Sequence, residues 1–319
     1  KFHRKEMTQT FPEGRDPYLV ETPNYVRNYN SNNIYQAINV WAEYKKSFND
    51  VHNLSLMAGY NQEEKTYAST SYTMTDLYDN EMPISDLAIN YKENEEGSDI
   101  WRVQGAFFRL NYDYRSKYLL EVNGRYDGSS KYAKHDRWAF FPSASVGWRI
   151  SEEKFFKSLS KVVDNLKIRA SIGALGNQIT DGNHSFMSII SGKVLTNYMM
   201  DGKIVNGLNI PTLPSMVTWE KVITKDIGLD WSLFKNRLFG SFDFYVRDTK
   251  DMVRSVTLPA VLGTSGGKEN IADMRTVGWE LEMTWKDRIQ NVLGSPLDYS
   301  LTVGLSDYQA EITKYDNPN

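Results

Sequence analysis

Residues 117–149 read KYLLEVNGRYDGSSKYAKHDRWAFFPSASVGWR. From 117 to 127 the even positions hold Tyr118, Leu120, Val122, Gly124 and Tyr126, while the odd ones include Lys117, Glu121, Asn123, Arg125 and Asp127. From 137 to 149, Trp138, Phe140, Pro142, Ala144, Val146 and Trp148 share one side, and Ser143, Ser145, Gly147 and Arg149 the other. Successive side chains of a strand point to opposite faces, so each run predicts a strand with one apolar and one polar face. About 9–11 residues of tilted strand suffice to cross a bilayer, and both runs are that long.

The same alternation recurs at 165–175, 237–247, 277–286 and 297–305, and more weakly at 34–44, 51–60, 106–114 and 219–231. With the first few residues added, this predicts about eleven strands. Connections alternate in length. Tight turns fall at 45–50, 115–116 and 233–236, and long polar connections at 9–32, 65–100, 176–218 and 248–273. Compact soluble domains rarely carry several long loops, whereas outer-membrane barrels pair short periplasmic turns with long extracellular loops. Placing the tight turns in the periplasm brings later connections into phase, with 128–136 as a short outer loop. The stretch 151–163 is then expected as a periplasmic helical turn, with Ser151 as its cap and Glu152 and Glu153 in its first turn.

The chain has 319 residues with 20 Tyr, 14 Phe, 8 Trp, 21 Gly and no cysteine, and a formal net charge of −3. Absence of cysteine excludes disulfides and thiolate metal sites. The near-neutral balance argues against nucleic-acid binding, which needs a basic surface. The mean hydropathy of −0.53 is compatible with a membrane barrel, because only alternate residues of each strand meet lipid. The chain opens on KFHR and stops at YDNPN, and is expected to be an interior piece of a longer protein.

Tyr44, Tyr112, Tyr114, Tyr118, Trp148, Trp231 and Trp285 stand at strand ends beside the expected periplasmic turns. Rings with a polar handle collect at bilayer interfaces, so these seven predict an aromatic girdle. Tyr67, Tyr72, Tyr78, Tyr91, Tyr198 and Trp219 fall in the outer connections and are candidates to stack against a ligand. The stretch 74–89, with Met74, Met82, Pro83 and Leu87, is apolar for an outer loop and is expected to meet another protein.

At this point the residues resemble a known family. The strings FRLNYDY (108–114), KYLL (117–120), RYDGSSKY (125–132) and FPSASVGWRISEE (141–153) are similar to the barrel of SusC-type TonB-dependent transporters, the SusC/RagA family. So are LKIRASIG (166–173), GN (176–177), WEK (219–221), DFY (243–245), TKDM (249–252) and VGWEL (277–281). Ala106-Phe107 and Trp279 depart slightly from the pattern.

The resemblance implies an all-β, antiparallel up-and-down transmembrane barrel of about 22 strands, of which this chain is about half. It also implies a plug domain outside this chain and import of a bulky nutrient, an oligosaccharide or a peptide, across the bacterial outer membrane of Bacteroidetes. The implied partners are a SusD-like surface lipoprotein acting as a lid, and TonB acting through an N-terminal region absent here. Arg109, Glu121, Arg125, Arg169 and Asp243 are then expected on the wall facing the plug.

Signals for catalysis are weak, and no enzyme, cofactor or metal is expected. His3, His52, His135 and His184 stand without metal-ligand spacing. Glu280 and Glu282 lie about 7 Å apart on one strand face, within an inverting-glycosidase spacing, but two acids on a water-filled barrel wall explain them without catalysis. GTSGGKE (263–269) fails as a phosphate loop, since no strand–helix frame surrounds it. The alternatives to import are a passive porin or secretion channel, and a soluble β-rich carbohydrate-binding protein.

Overall fold

A computed structural model describes residues 2–3, 25–78, 84–178, 180, 182–184, 186–187, 194–200, 203–208, 214–259, 261 and 266–316. The strands are β1 (Phe2–His3), β2 (Tyr25–Phe48), β3 (His52–Leu77), β4 (Ala88–Tyr114), β5 (Tyr118–Ser129), β6 (Trp138–Arg149) and β7 (Val163–Asn177). They continue as β8 (Val194–Met200), β9 (Lys203–Leu208), β10 (Glu220–Leu233), β11 (Leu238–Ser255), β12 (Lys268–Val292) and β13 (Ser295–Tyr315). Eleven form one sheet in chain order, β8 and β9 forming a separate hairpin. The fold is all-β, antiparallel and up-and-down, and so matches the barrel expected from the alternation.

Tight turns give the sheet its order. Arg115 and Ser116 have φ of 54° each, and Asn49 and Asp50 have φ of 50° and 54°. Left-handed residues in short hairpins match the right-handed twist of the strands they join. Register then sorts the faces. Tyr118 lies opposite Trp148, Leu120 opposite Val146 and Tyr126 opposite Phe140. Across the next pairings Val146 meets Ala170, Ala170 meets Ile227, and Ile227 meets Phe244. That apolar face is bare: Val146 is 54% exposed, Ile227 61% and Leu301 64%. A water-soluble sheet would cover such a stripe, and a barrel wall leaves it to lipid.

The chain divides into two compact units, 1–37 with 63–101, and 38–62 with 102–319. β2, β3 and β4 are 24, 26 and 27 residues long and pass through both, against 12 residues for β5 and for β6. Much of the expected 65–100 loop is therefore strand, as are 25–32 within the expected 9–32 connection, β8 and β9 within 176–218, and both flanks of 248–273. β1 pairs with Tyr25 and Val26, in line with a strand at the first residues.

The stretch after β6 is helical, but the expected Ser151 cap is not formed. It forms two 3-10 turns, Ile150–Glu152 and Lys154–Ser158, and neither has a side-chain cap. Ser151 is inside the first turn, and its hydroxyl donates to Asn165 Oδ1 at 3.4 Å. The anchor is instead Glu153, whose carboxylate accepts from Tyr118 Oη at 2.7 Å, Trp148 Nε1 at 3.3 Å and Lys117 Nζ at 3.3 Å. These bonds, Tyr118 first, hold the Glu153 carboxyl below its usual range. A depressed folded pKa adds stability that is complete above the unfolded value, about 4.3, and fades as pH falls through the lower folded value. Replacing Glu153 by Gln is expected to flatten the acid limb of thermal-midpoint-against-pH curves below about pH 4. An unchanged acid limb would remove Glu153 from that role.

Candidate functional site

The polar face of β7, β10 and β11 carries an ion-pair cluster set by register. Arg169 lies opposite Gly228, Lys167 opposite Asp230 and Ser171 opposite Asp226. On the next strand Gly228 lies opposite Asp243. A Cβ on residue 228 would fall 2.5 Å from Arg169 Cζ and 2.7 Å from Asp243 Oδ1. The missing side chain thus lets the guanidinium lie across β10 and reach β11. There Nη1 is 3.2 Å from Asp226 Oδ1, Nε 3.2 Å from Asp230 Oδ1 and Nη2 2.5 Å from Asp243 Oδ1. Lys167 Nζ adds a contact to Asp230 Oδ2 at 3.4 Å. Glu280 lies opposite Asp243, and Glu282 opposite Ser241. Carboxylates therefore outnumber cations on this wall, and the two glutamates extend it. Replacing Gly228 by Ala is expected to push Arg169 off its seat and lower the thermal midpoint of the detergent-solubilised protein. A midpoint equal to wild type would show that the cradle is not needed.

The other expected wall charges fall on the same face in separate groups. Arg109 Nε donates to Asn123 Oδ1 at 2.8 Å, and Asn123 Nδ2 donates to Glu121 Oε1 at 2.7 Å. Arg125 contacts Asp127 at 2.9 Å and Asn61 at 3.1 Å. Glu121, Ser145, Arg169, Ser171 and Asp226 are among the residues that line one cleft of about 750 Å³. Only Arg169 and Asp243, of the five, touch directly.

The seven expected girdle residues lie toward the tight turns, and register places Tyr112, Tyr114, Tyr118, Trp148, Trp231 and Trp285 on the apolar face. Tyr44 lines an apolar hollow with Leu56, Phe108 and Leu120. A second aromatic group stands at the opposite end. Tyr126 and Trp138 stack at 5.0 Å and 13°, and the indole lies over Gly128, where a Cβ would come within 2.8 Å. His52, expected to stand alone, joins the first group through its Nδ1, 2.7 Å from Tyr112 Oη.

Connections at the long-loop end carry a small buried core. Tyr132, Phe141, Val217, Trp219 and Val253 pack together, with Tyr132 at 0% and Trp219 at 3% exposure. Trp219 meets Tyr132 at 5.2 Å and Phe141 at 5.4 Å, and its Nε1 donates to Arg137 O at 2.8 Å. The adjacent Glu220 accepts from Val253 N at 2.6 Å and Asn177 Nδ2 at 3.1 Å. Burial, with the Glu220 carboxylate nearby, pushes the Tyr132 phenol up. Trp219 is consequently a loop-fixing residue, and its ring faces protein where the sequence reading expected a ligand. Tyr72, Tyr78 and Tyr91 are exposed, and Tyr67 meets Tyr29 through their hydroxyls. Tyr198 lies in β8 opposite Val205, and its side chain is outside the described residues. So are Met82 and Pro83 of the apolar 74–89 stretch, in which Tyr78, Ile84 and Ile89 are exposed.

A family model described as the β-barrel of TonB-dependent-receptor-like proteins matches residues 2–319. The chain belongs to that family. Among curated relatives, TonB-dependent receptor P39 of Formosa agariphila is 32% identical over 246 residues, 76% of this chain and 23% of that protein. TonB-dependent receptor SusC of Bacteroides thetaiotaomicron is 30% identical over 200 residues, 61% of this chain and 20% of its own length. The chain thus spans less than a quarter of these TonB-dependent receptors. The RagAB peptide importer in its closed-closed state overlays with a TM-score of 0.77 at 23% identity, over 98% of this chain and 34% of that one, which shows a shared fold. The SusC-type resemblance read from the strings between 108 and 281 stands.

Proposed function

We propose that this chain forms about half the wall of a plugged outer-membrane importer that takes up a bulky nutrient with energy from TonB. The observation that carries the reading is the division of one sheet into a bare apolar face and a face of paired charges, in a chain of the TonB-dependent receptor family. On this reading the apolar face meets lipid, and the two aromatic groups mark the two bilayer interfaces. Arg109, Glu121, Arg125, Arg169 and Asp243 face the plug, whose polar surface needs matching hydrogen-bond partners. The exposed apolar residues Tyr78, Ile84 and Ile89 serve as a docking point for a SusD-like lid lipoprotein.

An oligosaccharide is the favoured cargo, because Tyr72, Tyr78 and Tyr91 are exposed, and open aromatic faces suit stacked sugar rings. A peptide is the second reading, favoured by the overlay on a peptide importer. The test is purification of the full-length protein from outer membranes in mild detergent. The expected result is a heat-modifiable gel shift and co-purification of a surface lipoprotein. Extraction without detergent, with no such shift, would overturn the reading in favour of a soluble β protein.

A further inference from the structure

The unit of 25–37 and 63–101 gathers aromatic rings on one face at two stations. At the first, Tyr29 and Tyr67 touch through their hydroxyls. At the second, Tyr35 lies 6.4 Å from Trp101 at 52°, and its hydroxyl donates to Glu63 Oε2 at 2.9 Å. Tyr29 and Tyr35 are six residues apart on β2, so both project to the same side and the stations are about 20 Å apart. Both tyrosines are more than half exposed, at 58% and 55%. Nearby, Arg27 pairs with Glu95 and donates to Ser71 Oγ at 3.0 Å, which leaves carboxylates as the dominant charge. On the face that carries these rings, strand alternation places Glu63, Glu93, Glu95 and Asp99 against Arg27 and Lys65.

We propose that this face is a subsite for a neutral, linear oligosaccharide long enough to reach both stations. The proposal rests on the import reading above and narrows its cargo. Sugar rings present C–H faces that lie on aromatic rings, and their hydroxyls donate to carboxylates such as Glu63 and Glu95. The acidic surround repels sulfated or uronate chains, which removes the anionic glycans. Two stations separated by several residues discriminate by length, because a short sugar occupies one and a long chain both.

The test is calorimetric titration of the full-length transporter with its co-purifying partner, using the neutral hexasaccharides of cellulose, mannan, laminarin and starch, their disaccharides, and a sulfated carrageenan hexasaccharide. At least one neutral hexasaccharide is expected to bind, its disaccharide much more weakly. The Tyr29→Ala, Tyr35→Ala double variant is expected to lose about tenfold or more in affinity, the size of lost ring stacking, while retaining its heat-modifiable shift. Tyr35→Phe, which keeps the ring, is expected to stay within a few-fold of wild type. Equal hexasaccharide binding by the double variant would overturn the subsite and leave the import reading intact. Binding of peptides with no neutral glycan would overturn both the subsite and the sugar cargo. Tighter binding of the sulfated chain would overturn the assignment to neutral glycans.

Discussion

Replacing Trp219 by Ala is expected to destabilise the long-loop end by about 3–5 kcal/mol, the usual cost of deleting a fully buried large aromatic. The ring is 3% exposed and lies between Tyr132 and Phe141, so its removal leaves a cavity bounded by two rings that cannot both collapse into it. It also strips the Arg137 carbonyl of its indole donor. The damage should stay local, because the ladders from β5 to β13 do not depend on this ring. Limited proteolysis of the solubilised protein is therefore expected to cut near 130–137 and 214–219 in the variant, with the barrel still heat-modifiable. Unchanged protection of both segments would show that Trp219 does not fix these loops. Trp219→Phe, which keeps most of the apolar volume and loses the indole donor, should fall between the two.

The second large effect is at Arg169. Its guanidinium contacts three aspartates, and Asp243 Oδ1 is buried against it at 2.5 Å. Removing one partner of a buried pair costs about 3–5 kcal/mol, since the remaining charge stays desolvated. Arg169 is 32% exposed, so solvent screening lowers the expected cost of Arg169→Ala to about 2–3 kcal/mol. Three carboxylates would then face one another across Gly228, with Lys167 left to offset them. A second substitution, Asp243→Asn, relieves that repulsion and should recover part of the loss, and a double-mutant cycle on thermal or denaturant midpoints measures the coupling. Additive effects of the two substitutions would contradict the cluster as a unit.

Alternation made most of the wall legible. At 117–127 and 137–149 one face is apolar and the other polar, so the residues differ sharply at every step and the faces read directly. The upper parts of β3 and β4 did not read as strands, because both faces there are polar. Arg27, Glu95 and Ser71 on one side, and Glu93, Glu96 and Asp99 nearby, carry no period of two in hydropathy, yet backbone pairing extends through them. The charges of the polar wall were visible singly, but the partnership of Arg169 with Asp226, Asp230 and Asp243 depends on register and on the absent side chain of Gly228. Trp219 was misread because an aromatic residue next to a loop looks the same whether it is buried or offered to a ligand. Ser151 was misread as a cap since a Ser-Glu-Glu string suits a helix start, whereas Glu153 is occupied by Tyr118, Trp148 and Lys117. Tyr29 and Tyr35 were missed by the same blindness to register: they become a pair of stations only when Tyr67 and Trp101 fall beside them.

The central proposal, energised import through a plugged barrel, is tested most directly by uptake of a fluorescent neutral hexasaccharide into cells carrying the full-length transporter, with and without a protonophore. Uptake is expected to require the transporter and to stop when the proton gradient is dissipated. Transporter-dependent uptake that continues unchanged in the protonophore would contradict the account and identify a passive channel.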